Sequence, residues 1–174
     1  MARPRAAGAA PRRRRRRAAA GAVRPELDQP VGALLPKPFC NHIDLCVSSM
    51  QRSLPFYRGL LAHLGPTSEG SIVGERGEGV VYISLPGGAV GLREAGSAAA
   101  VDRYAPGLHH LAFDAASREV VDTIAAWLRE QGADIEGGPG ERDYTPGYYA
   151  VFFFDPDGLK LEVVHQPPRP STPA

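Results

Sequence analysis

Between residues 38 and 166 the spacing of apolar positions switches between two periods, and the same order of periods occurs twice. Ile43, Leu45 and Val47 alternate with His42, Asp44 and Cys46, the pattern of a strand with one covered and one open face. Leu111 and Phe113 repeat it around His110 and Ala112. A helical period follows each strand. Ser49 to His63 carries Leu54, Phe56, Leu60 and Leu61 ahead of Leu64 and Gly65; Ser117 to Gln131 carries Val120, Val121, Ile124, Trp127 and Leu128 ahead of Gly132. The second stripe is the cleaner, with Ser117 as N-cap, and both helices close on glycine. Pro55 fits the first helix only in its opening turn.

Strand-like runs then return. Val80 to Leu85 and Tyr149 to Phe154 lead into the turns Leu85-Pro86-Gly87-Gly88 and Asp155-Pro156-Asp157-Gly158, each followed by another strand. The offset between the copies drifts from 68 at the histidines to 70 at the turns. The chain is therefore read as α+β, with βαβββ modules at residues 38–97 and 105–166 whose strands pair into one curved mixed sheet.

Composition adds two tails. Residues 1–37 hold ten Lys/Arg against two Asp/Glu, and the remainder holds ten against seventeen, so a net charge of +1 conceals a basic tail on an acidic body. With almost no large apolar side chains, residues 1–37 are expected to be disordered, the Arg12 to Arg17 run included, and residues 167–174 form a Pro-rich tail. An acidic body argues against a folded nucleic-acid-binding face. No run approaches the roughly 18 apolar residues that span a bilayer. Cys40 and Cys46, six residues apart on one extended segment, lie beyond disulfide reach. The reading is of free thiols in a cytoplasmic protein.

Strand parity supplies the chemistry. His42 and Asp44 share the open face of the first strand, His110 heads the same face of its counterpart, and Glu162 alternates with Leu161 and Val163 on the last strand. Two histidines at matching positions and one carboxylate are a metal-ligand set that leaves coordination positions open for water or substrate. Asp44 is a candidate partner of that centre or a base. Between the last strands, Arg142 can hold a substrate anion, while Tyr144 and Tyr148 can stack or donate hydrogen bonds. His109 and His165 fall on the opposite parity and read as structural.

Asn41-His42-Ile43-Asp44-Leu45, His110-Leu111-Ala112-Phe113 and Phe153-Phe154-Asp155-Pro156-Asp157-Gly158-Leu159-Lys160-Leu161-Glu162 resemble the three metal-ligand motifs of the vicinal oxygen chelate superfamily. That superfamily contains glyoxalases, fosfomycin-resistance enzymes and extradiol dioxygenases. The resemblance implies a cup-shaped sheet with helices outside, a divalent ion (Zn, Ni, Mn or Fe) on His42, His110 and Glu162, and a small substrate chelating it through adjacent oxygens. It also implies a homodimer, with ligands from one chain or from two. Isomerase, lyase or thiol-transfer chemistry is the leading expectation. The alternative is a binding or sequestration protein of the bleomycin-resistance type.

The departures narrow the reaction. Glyoxalase I carries a fourth, basic glutamate in its first module; counting from the turn glycine places Leu92 there, with Glu94 two residues on. Extradiol dioxygenases carry a Tyr where this chain has Phe152, which is left as a substrate-binding candidate, and an upstream His that is missing between Ala112 and Glu162. The cationic groups of the fosfomycin enzymes are not plainly supplied by Arg142 to Tyr148.

Overall fold

The computed structural model describes residues 40–97 and 99–167. The two predicted tails lie outside these, apart from Pro167. The first module runs β1 (His42–Val47), α1 (Met50–Leu64), β2 (Ser68–Val73), β3 (Gly79–Leu85) and β4 (Gly88–Glu94). The second runs β5 (Leu111–Asp114), α2 (Arg118–Glu130), β6 (Ile135–Glu141), β7 (Tyr149–Phe154) and β8 (Lys160–His165). The α+β class and the doubled βαβββ order are those expected.

Hydrogen bonding divides the strands into two four-stranded sheets, ordered β1-β4-β3-β2 and β5-β8-β7-β6. In each, the first strand pairs in parallel with the last and the rest are antiparallel. β1, which carries His42, and β5, which His110 immediately precedes, are both sheet edges. The expected single curved sheet is thus carried as two sheets joined through side chains.

One core spans both modules. Leu45, Val90 and Leu92 of the first sheet and Phe153, Leu161 and Val163 of the second belong to the same buried cluster as the inner faces of the helices. Pro55 lies inside α1 rather than in its first turn. The helix persists because only one intrahelical bond is lost there while Tyr57, Leu60 and Leu61 are fully buried on its inner face. Gly59 lets α2 approach: a Cβ at this position would sit 2.4 Å from the Trp127 ring.

The Asp155-Pro156-Asp157-Gly158 turn also locks the modules together. Asp157 accepts from the Ser48 backbone N–H at 2.7 Å, from the Ser48 hydroxyl, and from Arg52 at 2.9 Å. Buried Asp155 accepts from Tyr57 Oη at 2.8 Å and from the backbone N–H groups of Asp157 and Leu159 at 2.9 and 2.8 Å. Burial nevertheless raises the Asp155 pKa above the ordinary aspartate value, outweighing these hydrogen bonds.

This shift sets a pH dependence. The folded chain keeps a proton that the unfolded chain has released, so the contribution of Asp155 to stability declines as pH rises from the ordinary aspartate range through the raised one. Asp155→Asn keeps the shape and a hydrogen bond to Tyr57 without the charge. Urea unfolding between about pH 3 and pH 7 should show the variant gaining stability relative to the parent as pH rises. A variant that loses ground with rising pH would show that the ionised carboxylate is the favoured folded form.

Candidate functional site

Cross-strand register decides which side chains share a face. Glu162 on β8 stands opposite Ala112 on β5 and Phe152 on β7. In the first sheet Asp44 stands opposite Gly91, and Gly91 opposite Tyr82. The modules superpose in register as Ala112 on Asp44, Phe152 on Tyr82, and Glu162 on Gly91.

The second module gathers the better-formed half of the site. Glu162 is 2% exposed. Tyr148 Oη donates to its Oε1 at 2.6 Å, and His110 Nε2 lies 3.5 Å from its Oε2. Burial, followed by the bond to Glu162, pushes the Tyr148 phenol well above its ordinary value and keeps it a proton donor to the carboxylate. Tyr144 packs edge-on against Tyr148 at 5.2 Å and is largely exposed, one residue removed from Glu162. The Arg142 guanidinium lies over the Phe152 ring at 5.4 Å.

In the first module His42 is exposed, with its ring edge-on to Tyr82 at 5.6 Å. It lines a cavity of about 570 Å³ shared by the start of β1, the end of α1, the β3–β4 turn and β5. Asp44 is ion-paired with Arg93 at 2.5 Å and accepts from Tyr82 Oη at 3.2 Å. Its other oxygen is buried with no hydrogen-bond partner among the described residues, directly above Gly91. Arg93 continues to Glu78 at 3.2 Å.

Each motif histidine is oriented by the residue before it. His42 Nδ1 meets Asn41 Oδ1 at 2.8 Å, and His110 Nδ1 meets His109 Nδ1 at 2.8 Å. Asn41 Oδ1 can only accept, so His42 Nδ1 donates and its Nε2 keeps the lone pair that a metal takes; His110 Nε2 is left the same way in the tautomer in which its own Nδ1 donates to His109. His109 therefore touches the site, where parity alone had made it structural. Its place 68 residues after Asn41 was the signal for this role.

Among the described residues no three His, Cys, Asp or Glu side chains form one metal-holding group. A single chain brings His110 and Glu162 together and leaves His42 with Asn41 and Tyr82. The donors that are present suit a divalent ion: an imidazole engaged at Nδ1, and a buried carboxylate with one oxygen held by Tyr148 and the other turned to His110.

The position assigned to Leu92 needs correction. Gly87 and Gly158, at φ +105° and +85°, are the equivalent turn glycines, and four residues on from them stand Gly91 and Glu162. Counting from Gly88 overshoots by one residue. Leu92 is fully buried opposite Leu45. Glu94, opposite Val47 at the exposed end of β4, lies on the same side of the sheet as Leu92 and away from His42.

Comparison with known proteins agrees with this fold. Residues 40–163 match the family model described as glyoxalase/bleomycin resistance protein/dioxygenase superfamily. A Bacillus halodurans protein assigned to the glyoxalases is 27% identical with a TM-score of 0.63, over 74% of this chain and 96% of its own. A glyoxalase/dioxygenase from Nostoc punctiforme is 26% identical with a TM-score of 0.58, over 74% and 90%. A glyoxalase/bleomycin resistance protein from Albidiferax ferrireducens T118 is 27% identical with a TM-score of 0.57, over 73% and 98%. No curated protein matches the chain by sequence.

Proposed function

This chain belongs to the glyoxalase/bleomycin resistance protein/dioxygenase superfamily, and on that premise we propose that it is a metal-dependent enzyme acting on a small molecule with two adjacent oxygens. His110 and Glu162 would hold one divalent ion, Zn, Ni, Mn or Fe, with His42 of a second copy as third ligand. The ion's contribution is that of a Lewis acid on the two oxygens. The carrying observation is the buried Glu162 carboxylate: among the described residues it faces His110, with no Lys or Arg in salt-bridge range. A carboxylate so placed is costly to bury without a positive partner.

The remaining residues take roles around it. Tyr148 holds Glu162 in place, and Tyr144 at the rim is the proposed proton donor. Asp44, ion-paired with Arg93, is the proposed base on the facing module. Arg142 and Phe152 bind substrate. Gly91 leaves the first module without the basic glutamate of the four-ligand glyoxalases, so isomerase, lyase or thiol-transfer chemistry on other substrates fits better. The edge positions of β1 and β5 support a homodimer. Free, exposed Cys40 and Cys46 support a reducing, cytoplasmic setting. Among the described residues no helix is long and apolar enough to cross a membrane.

The second reading, sequestration of a small molecule without metal, is favoured by the dispersal of metal-capable groups within one chain. Thermal unfolding with Zn, Ni, Mn or Fe added after chelation separates the two. At about 100 times Kd a bound ion adds roughly 2.7 kcal/mol, a shift of several degrees. That shift should vanish in Glu162→Gln. Turnover should then be screened on 2-oxoaldehydes, catechols, and thiol with epoxide. The hemithioacetal of glutathione and methylglyoxal should be a poor substrate. No shift with any of the four metals would favour sequestration.

A further inference from the structure

Over the face of the second sheet that carries Glu162 lies a cation with no counter-charge among the described residues. Six of the described arginines, at 52, 58, 76, 93, 103 and 118, are ion-paired. Among the described residues Arg129 and Arg142 have no carboxylate within salt-bridge distance, and Arg129 is exposed on α2. Arg142 is half-buried; the only hydrogen bond of its side chain among the described residues runs from Nη1 to the Glu141 carbonyl at 3.1 Å.

Its place is made by glycines. The β6–β7 register is broken between Ile135 and Gly137 and again between Gly137 and Gly140, and the guanidinium lies against this irregular stretch. A Cβ at Gly138 would come 3.1 Å from Nη2, one at Gly137 3.4 Å from Nη2, and one at Gly140 3.6 Å from Nη1. Gly138 also has φ +100°, where a side chain is strained. The run therefore leaves open a slot that larger residues would close. Below the guanidinium, Phe152 is the direct cross-strand partner of Glu162.

From this placement we propose that Arg142 and Phe152 form an anion subsite beside the Glu162 centre, and that the substrate is a small carboxylate. The planar fork of a guanidinium matches a carboxylate through two parallel hydrogen bonds, and the partly desolvated setting over Phe152 strengthens them. A phosphate group would draw on a second cation. The nearby one, Lys160, at 4.9 Å over the same ring, is already bonded to Glu136. The proposal takes from the metal reading only the position of the reacting oxygens. The anion subsite itself needs no ion.

The experiment uses the full chain with a chelator present, so that failure of metal binding leaves the result untouched. Lactate, lactamide and inorganic phosphate are titrated separately while the arginine Nε–H signals are followed by NMR. Lactate should move the Arg142 signal, lactamide should not, and phosphate should bind more weakly than lactate. Arg142→Gln should lose lactate binding, and Arg142→Lys should weaken it about tenfold, as loss of the bidentate pair implies. Both variants should melt as the parent does. Equal binding of lactamide, or lactate binding unchanged in Arg142→Gln, overturns the proposal. So does phosphate bound more tightly than lactate and lost in Lys160→Gln.

Discussion

Leu92→Glu should strongly destabilise the fold at neutral pH rather than complete a metal site. Leu92 is fully exposure-free in the cluster that joins both modules. The substitution removes a well-packed side chain and places a carboxylate where no described cation can reach it, a combined cost of at least about 4 kcal/mol. A domain stabilised by roughly 5–15 kcal/mol then keeps only about 1–11 kcal/mol and unfolds at a markedly lower urea concentration. Circular dichroism with urea titration at pH 5 and pH 8 is the measurement. Recovery at the lower pH is expected, because protonation removes the buried charge. A variant as stable as the parent that binds metal more tightly would reverse the assignment of Leu92 to the core.

Mixing two inactive variants should restore metal binding. His42→Ala and His110→Ala each remove one proposed ligand, and each alone should lower metal affinity about a hundredfold or more. If one chain's His42 serves the His110 and Glu162 of the other, a dimer of the two variants holds one intact site. Random reassortment of equal amounts then recovers roughly a quarter of the parent's sites. Calorimetric titration after unfolding and co-refolding the mixture reads this directly. Affinity that stays lost in the mixture, while each variant alone remains dimeric, would place all three ligands within one chain.

Much of this molecule is legible before any coordinates, and the reasons are local. The alternation around His42 and His110 determines which side chains leave the covered face, because successive residues of a strand point to opposite sides. The repeat at 68 to 70 residues makes two modules, and the helices follow from their stripes and closing glycines. Glu162 could be placed on the opposite face from Leu161 and Val163 in the same way, by strand alternation, though its own burial could not.

What parity could not decide is register and distance. Gly91 rather than Leu92 matches Glu162 because the first turn uses two residues between the paired Leu85 and Gly88, whereas the second uses five between Phe154 and Lys160. Tyr57 reaches Asp155 across 98 positions of sequence and Arg93 reaches Asp44 across 49. Neither pair leaves a local signature. The glycine slot behind Arg142 depends on an irregular β6–β7 ladder, which the spacing of Gly137, Gly138 and Gly140 allows but does not dictate. Sequence alone determined which residue types stand on which face, because that follows from backbone geometry one strand at a time. Only the tertiary structure decided which of them meet, bringing Glu162 to His110 and Tyr148 while His42 stays apart, because contact depends on how turns set the register and how helices hold two sheets against one core.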